Sequence, residues 1–299
     1  MAFVIAWWLN PAGAGVVGYW NLNEGYNSDG TPVQEVLDSS GNGRHGFLGF
    51  NDTIETVDAP RSLDAQGRSG TSGDYALSYP VGVNVGDFAG IPHQAGVFTP
   101  PNFTLAADID PSTFRQSVVA GKHGGGTTGS YFLGFSGTNA VETNNFLRFV
   151  VITVDNSTGT PVYTRVNLDT PILASDGDPG YHQFVGTYDG AAMRLYYDGV
   201  LRAEAAQTGP VRDVNRRVLF GDYSDYNQNS FEYEGLVDNP ALFDTALSDG
   251  GVAVGQAAAP GSEIHQLYTQ GAASFVPEPA SLAVVGLAGL MMLRRRTRA

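Results

Sequence analysis

The sequence predicts an all-β protein, a two-sheet antiparallel jelly-roll sandwich, with one short hydrophobic helix added at the C-terminal end. Three observations lead there. Tyrosine and phenylalanine together number 30 and glycine 39 in 299 residues, and helix-forming charged runs are few, a composition of strands and tight turns. Phe103, Leu105, Ala107 and Ile109 alternate with Thr104, Ala106 and Asp108, a period of two that turns one set to a core and the other toward water. No strand–helix–strand alternation occurs, which argues against a parallel sheet.

The elements follow in chain order. Strand-like segments are "VVGYWNL" (16–22), "FTLAADI" (103–109), "SYFLGFS" (130–136), "FLRFVVITV" (146–154), "YHQFVGTY" (181–188), "MRLYYD" (193–198) and "RVLFG" (217–221). Asp198-Gly199 lies directly between strand-like runs and signals a hairpin, because both central positions of that turn favour positive φ. Asp189-Gly190 needs a slightly longer loop, so three antiparallel strands are expected in succession. A short helix is expected near Ser262–Tyr268. The Gly- and Ala-rich stretch 248–262 reads as a flexible insertion and residues 80–102 as an extra loop. "GKHGGGTTGS" (121–130) reads as a loose hairpin loop, since it lacks the Gly-Lys-Ser/Thr order of a phosphate cradle.

Both ends differ from the body. "MAFVIAWWLNPAGAG" has an apolar run, a helix-breaking Pro11 and small residues Ala12 and Ala14, the pattern of a signal peptide over residues 1–14, although a basic start is missing. The C-terminal segment 276–299 carries Pro277-Glu278-Pro279 and then an apolar run from Ala280 to Leu293. Arg294, Arg295, Arg296 and Arg298 follow. A helix over that run reaches only ~21 Å, short of the roughly 30 Å of bilayer hydrocarbon. Its apolar residues go all round, so it is no amphipathic surface helix. The arginines would keep their end in the cytoplasm and leave the body outside. This order of motif, helix and cations resembles the PEP-CTERM sorting signal of Gram-negative bacteria. The resemblance implies export, transient insertion in the inner membrane through this helix, and processing by an exosortase.

The formal net charge is −14, and without the tail arginines 12 basic side chains face 30 acidic ones, a net of −18. Such a body repels phosphate backbones, which excludes nucleic acid as a partner. Cysteine is absent, so stability has to come from packing, with a bound metal ion as a further means.

Between the two ends, several segments occur in a recognisable order. "VVGYWNLNEG" with "VLDSSGNGRHGFLG", then "FTLAADIDPSTF", "YHQFVGTYDGAAMRLYYDGVL", "EYEGLVDNPALFDTALSD" and "SEIHQLY" together resemble the LamG-like, concanavalin A-like jelly-roll domains of bacterial surface proteins. The resemblance covers residues 16–271. Tyr181 stands where the family prefers tryptophan, and Asn239-Pro240 replaces an acidic-apolar pair.

Candidate chemistry is sparse. In "DSSGNGRHG" (38–46), Asp38, Asn42 and the carbonyls around Gly43 and His45 offer several oxygens from one tight loop, the kind of donor calcium takes. The resemblance adds Asp238 of the closing segment as a ligand joining the chain ends through structural Ca2+. The plainer alternative is a glycine-rich turn without an ion. Zinc is disfavoured by the scattered histidines. For glycoside hydrolysis, two carboxylates about 5 Å apart are needed, yet no Glu-x-Asp-x-Glu strand occurs. Glu232 and Glu234 come nearest and read as a solvated acidic edge, and no Gly-x-Ser-x-Gly elbow exists. Tyr223, Tyr226 and Tyr233 precede the closing strand, where Asp222, Asp225, Asn227 and Gln228 accompany them. Tyrosines suit sugar rings, having an apolar face and a polar tip. The expected function is a non-catalytic exported module of the cell surface or extracellular matrix that recognises glycan or protein. A concanavalin A-like hydrolase and an inert matrix protein are the alternatives.

Overall fold

A computed structural model describes residues 14–25, 28, 33–50, 53–54, 61–81, 87–124, 127–137, 145–222 and 231–277. The strands are β1 (Val16–Tyr19), β2 (Glu35–Val36), β3 (Gly46–Phe50), β4 (Thr53–Ile54), β5 (Arg61–Gln66), β6 (Tyr75–Tyr79), β7 (Asp87–Ile91), β8 (Phe103–Pro111) and β9 (Ser117–Lys122). They continue as β10 (Tyr131–Ser136), β11 (Phe146–Asp155), β12 (Val162–Pro171), β13 (His182–Tyr188), β14 (Ala192–Tyr197), β15 (Val200–Ala206), β16 (Val218–Phe220) and β17 (Gly235–Phe243). One helix, α1 (Glu263–Gln270), and two short 3₁₀ turns, Ala174–Gly177 and Ala272–Phe275, complete the described chain.

All pairings are antiparallel. The first sheet runs β15-β14-β13-β8-β17-β6-β5 with β1 added beside β17, and the second runs β12-β11-β10-β9-β16-β7-β3-β2 with β4 beside β3. The all-β jelly-roll sandwich expected from the sequence is therefore the fold. The main core lies between the sheets, where Tyr131, Phe149 and Tyr188 gather around Phe103 with ring centroids 4.6 to 6.0 Å from its own. Edge-to-face and tilted ring pairs of this kind add about 0.5–1.5 kcal/mol each beyond burial.

The outer face of the first sheet is also covered. Leu105, Ala107 and Ile109 face the main core as the alternation predicts. Thr104, Ala106 and Asp108 are buried as well: Thr104 bonds Thr245 and Leu247, Ala106 packs with α1, and Asp108 pairs with Arg68. Ala106, Val185, Tyr196, Ala241 and Phe243 form a second apolar layer with Ile264 and Leu267 of α1. Ser262 caps that helix, its side chain accepting from the His265 amide. Ala14 joins the same layer, and the Gly15 amide donates to Asp244 at 2.8 Å, so the folded body reaches back to residue 14.

Two further expectations change. The stretch 248–262 is not a loose insertion. The Leu201 amide donates to the Gln256 carbonyl and the Ala258 amide to the Gly199 carbonyl, so this segment covers the edge of β15. Residues 80–102 contain β7, a strand inside the second sheet. The Asp198-Gly199 turn is as expected, with φ of 51 and 71.

Candidate functional site

The site is built from the outer face of the first sheet beside the end of α1. Asp108 of β8 lies directly opposite Asp238 of β17 on one side and Gln183 of β13 on the other. Two carboxyls side by side under a helix would repel each other and lose hydration, so the fold brings a cation to them. Arg68, in the turn between β5 and β6, donates its backbone amide to Asp238 at 2.8 Å and its guanidinium to Asp108. The same guanidinium donates to the Tyr268 carbonyl at 3.0 Å and lies 5.8 Å from the Tyr268 ring centre. Asn239 completes the network, its side-chain nitrogen donating to Asp108 at 3.2 Å and Asp238 at 2.8 Å, while its oxygen accepts from the Tyr19 hydroxyl at 2.7 Å.

Burial dominates the electrostatics. Loss of water pushes the Asp108 carboxyl up to about 6, with Arg68 opposing the rise. Asp238 is pushed up to about 8, first by burial and then by the neighbouring Asp74 and Asp108 charges. Perturbed carboxyls of this kind mark functional-site candidates.

Beside this network opens a cavity of about 400 Å³. Asn21, Asn23, Asp74, Asp108, Asn239 and Tyr268 are among its lining residues. The Asn23 side-chain oxygen accepts from the Tyr75 amide at 2.8 Å and that of Asn21 from the Asn23 amide at 3.4 Å, which leaves their NH2 groups as donors. Asp74 holds the Ser69 amide at 2.8 Å with Oδ2, leaving Oδ1 as an acceptor. Two backbone positions beside the cavity are held in the left-handed region, Leu22 at φ 59 between the two asparagines and Asn239 at φ 50. A non-glycine residue there costs roughly 1–2 kcal/mol, and such strain gathers where a fold positions groups for a task. At Asn239 it coincides with a register shift of β17 between Asp238 and Ala241.

The sequence-predicted metal loop is present, but Asp238 has no hydrogen bond to it. Asp38 Oδ1 accepts from Ser40 N at 2.9 Å, Ser40 Oγ at 2.5 Å and Tyr19 N at 3.3 Å, and Oδ2 accepts from Arg44 N at 2.9 Å. Asn42 turns its NH2 group to the Val16 carbonyl at 2.7 Å, Arg44 donates to the Val17 carbonyl, and His45 Nδ1 accepts the Asp38 amide at 3.0 Å. Both Asp38 carboxylate oxygens are thus engaged by N–H and O–H donors, and Gly43 serves the turn at φ 70. The Asp38 carboxylate holds the loop in shape through these hydrogen bonds. Among the described residues no cluster of three or more His, Cys, Asp or Glu side chains is placed to hold a metal.

Of the predicted tyrosines, Tyr223 and Tyr226 lie outside the described residues. Tyr233 is a core residue and not a ligand platform. It is fully buried, 6.0 Å from Tyr79 and 6.1 Å from Phe135 between ring centres, because it turns inward just before β17 begins. Glu232 and Glu234 are buried too, contrary to the solvated edge expected. Glu234 accepts from the Thr113 hydroxyl at 2.6 Å and pairs with Arg115 at 3.3 Å, a structural role. Of the sorting motif, Pro277 ends the described chain, and Glu278, Pro279, Arg294, Arg295 and Arg296 lie outside it. Among the described residues no helix is long and apolar enough to cross a membrane. The chain's single lysine, Lys122, is wholly buried, with Nζ 2.5 Å from Asp213 Oδ1 and 3.1 Å from His93 Nδ1, so it ties loops together and holds no phosphate.

Sequence reasoning missed Arg68, Asp108, Asn21, Asn23 and Asp74. One signal was available: Asp108 lies on an otherwise apolar stretch, and nothing in the strand itself needs a carboxylate there.

An antiparallel sandwich with a helix laid on one outer face and a polar cavity beside it defines a class of domain. The chain belongs to the concanavalin A-like lectin/glucanase superfamily, whose family model matches residues 85–253, more than half of it. Among solved structures it is similar to domain 4 of AbnA, a GH43 extracellular arabinanase of Geobacillus stearothermophilus in complex with arabinotriose. The identity is 14%, the TM-score 0.49, and the match covers 79% of this chain and 95% of that one. It is also similar to the binding domain of botulinum neurotoxin DC in complex with SialylT, at 11% identity and a TM-score of 0.45, covering 78% of this chain and 48% of that one. A SAP-like pentraxin of Limulus polyphemus matches at 14% identity and a TM-score of 0.36, over 60% of this chain and 79% of that one. This chain thus matches about half the length of the neurotoxin binding domain. At these identities the likeness is one of fold. No curated protein sequence matches the chain.

Proposed function

We propose that this chain is an exported, non-catalytic recognition domain that binds a neutral polyhydroxylated ligand, a glycan, in the cavity beside Arg68. The observation that carries the reading is the convergence of the Asn21 and Asn23 NH2 donors and the Asp74 acceptor on one cavity of about 400 Å³ next to the Tyr268 ring. Sugar hydroxyls donate and accept at once, and pockets with a few placed polar groups recognise them through such pairs. Arg68 is committed to Asp108 and the Tyr268 carbonyl, so it shapes the cavity and does not attract anions.

The absence of catalysis rests on accessibility. Asp108 and Asp238, the two raised carboxyls of this network, are 3% and 0% exposed, and their oxygens accept from Arg68 and Asn239. Water or a glycosidic oxygen would have to displace those donors. A hydrolase remains the second reading because Asn239 bridges both carboxyls. Polysaccharide release that is abolished by Asp108→Asn would establish it.

Export is supported by the terminal sequences: the apolar segment 1–14, and Pro277-Glu278-Pro279 with the arginine cluster as a PEP-CTERM signal for an exosortase. Under this reading the domain passes through the inner membrane of a Gram-negative bacterium and works at the envelope or in extracellular polymer. Mass spectrometry of protein from culture medium would show both ends trimmed; an intact Met1 and Ala299 would contradict export. For binding, a glycan array with the wild-type chain should give hits that Asn21→Ala/Asn23→Ala weakens at least tenfold. An empty array favours the inert matrix protein, and hits unchanged in the double variant place recognition elsewhere.

A further inference from the structure

His182, the first residue of β13, is buried, and each of its ring nitrogens faces an oxygen. Nδ1 lies 2.7 Å from Asp198 Oδ2, and Nε2 lies 3.0 Å from the backbone carbonyl oxygen of Asp178. A carboxylate and a carbonyl both accept only, so the ring that satisfies both is the doubly protonated imidazolium. Asp198 is fixed for this contact by the turn after β14, where it sits at φ 51 and takes the Gln183 amide on its other oxygen at 2.9 Å. The Tyr197 ring stacks on the imidazole, 5.1 Å between centres. Asp176, itself paired with Arg202, and Asp110 are the other charges that face the ring. Burial opposes the charge on His182, but Asp198, the Asp178 carbonyl and Asp176 outweigh it and hold the imidazole above its ordinary value.

The carbonyl that His182 holds belongs to an Asp-Pro bond. Asp178 leaves the 3₁₀ turn Ala174–Gly177 at φ −60 and ψ 143, the extended backbone that a following proline demands. Buried Asp176 pins that turn, accepting the Leu173 amide at 2.7 Å and Arg202 at 2.8 Å. Beyond the bond, Gly180 sits at φ 116 with its amide on the Asp110 carboxyl. Asp178, Pro179 and Gly180 are exposed, so the Asp178 carboxyl has room to turn and water reaches the bond. The Pro179 nitrogen carries no hydrogen and leaves as a secondary amine once it is protonated.

We propose that the folded chain cuts itself once between Asp178 and Pro179, with the Asp178 carboxylate as nucleophile and His182 as general acid. A side-chain oxygen of Asp178 attacks its own backbone carbonyl carbon and closes a cyclic anhydride. The imidazolium stabilises the oxyanion and passes its proton to the Pro179 nitrogen as the carbon–nitrogen bond breaks. One water then opens the anhydride to the two carboxylates of Asp178, and the two protons released go to His182 and to the prolyl amine. The reaction is a single turnover of the chain on itself, separate from ligand binding in the cavity. β8 and β13 lie on opposite sides of the cut and pair with each other, so both pieces stay in the sandwich.

The purified full-length chain held at pH 6 should yield fragments 1–178 and 179–299 on denaturing gels, at a rate independent of protein concentration. Mass spectrometry should find Pro179 at the new N-terminus. Chain kept unfolded in urea at the same pH should be cut at least tenfold more slowly, which separates the folded site from the plain acid lability of an Asp-Pro bond. Asp178→Ala should abolish the cut. His182→Gln, shown folded by circular dichroism, should slow it at least a hundredfold, the low end of general acid catalysis. Asp198→Asn should move the fall in rate toward lower pH, because Asp198 holds the proton on His182. A wild-type chain that stays intact, equal cutting in urea, or a cut at another bond would overturn the proposal. So would a folded His182→Gln variant cut as fast as wild type, or a pH profile that Asp198→Asn leaves in place.

Discussion

Replacing Arg68 by glutamine removes the cation that pairs with the buried Asp108 carboxylate and leaves a shorter, neutral side chain. Breaking a buried ion pair by deleting one partner costs about 3–5 kcal/mol when the remaining charge stays dry. The Arg68 side chain is 27% exposed, so water reaches part of the pair and lowers the cost to about 2–3 kcal/mol at pH 8. At pH 5 the cost should shrink. Asp108 already titrates near 6 in the folded state, so at pH 5 it is mostly neutral and has little need of a counter-charge. What is left is the lost hydrogen bond to the Tyr268 carbonyl, worth about 1 kcal/mol. Urea denaturation of wild type and Arg68→Gln at both pH values measures the difference. A penalty that is equal at pH 5 and pH 8 would refute the electrostatic role and reduce Arg68 to packing. In Arg68→Gln/Asp108→Asn most of the loss at pH 8 should return.

The remaining predictions test neighbouring parts of the account. Asp108 and Asp238 both have raised folded pKa values, so the folded state holds protons that the unfolded chain has released. Their contribution is therefore full below about pH 4 and fades as pH rises, by up to about 1.4 kcal/mol per pH unit per group, until about 6 for Asp108 and about 8 for Asp238. Asp238→Asn should flatten the fall between pH 6 and 8 in a denaturation series. Calcium at millimolar concentration should leave the melting temperature unchanged, since N–H and O–H donors already engage both Asp38 carboxylate oxygens; a rise of several degrees that EDTA reverses would support the metal reading. At Gly221, φ is 87 and an added Cβ would lie 1.8 Å from the Tyr79 ring. Gly221→Ala should cost well over the ~1 kcal/mol of the left-handed backbone alone, readable by the same denaturation.

How far the sequence reaches is clearest residue by residue. Phe103 to Ile109 shows its inward face because burial between sheets imposes a period of two. The Asp198-Gly199 hairpin is legible because two positive φ values are a local demand. The outward face of β8 was misread, since the helix that covers it comes more than 150 residues later and no local pattern encodes that contact. Tyr233 was misread for the same reason: an aromatic next to a polar loop looks like a rim residue until the strand's direction is known. Strands such as β7 and β12 lack strong alternation and are set by their neighbours. The cavity draws on five distant segments: Asn21 and Asn23, Arg68 with Asp74, Asp108, Asn239, and Tyr268. No spacing rule links them, so only the folded chain brings them together.

The most direct measurement is a crystal structure of the domain with an oligosaccharide that it binds on an array. The account predicts the sugar between Asn21, Asn23, Asp74 and Tyr268, with hydroxyls within hydrogen-bond distance of the two asparagines. A sugar seated instead on the outer face of the second sheet, or on the loop carrying Tyr223 and Tyr226, with this cavity left to solvent, would contradict it.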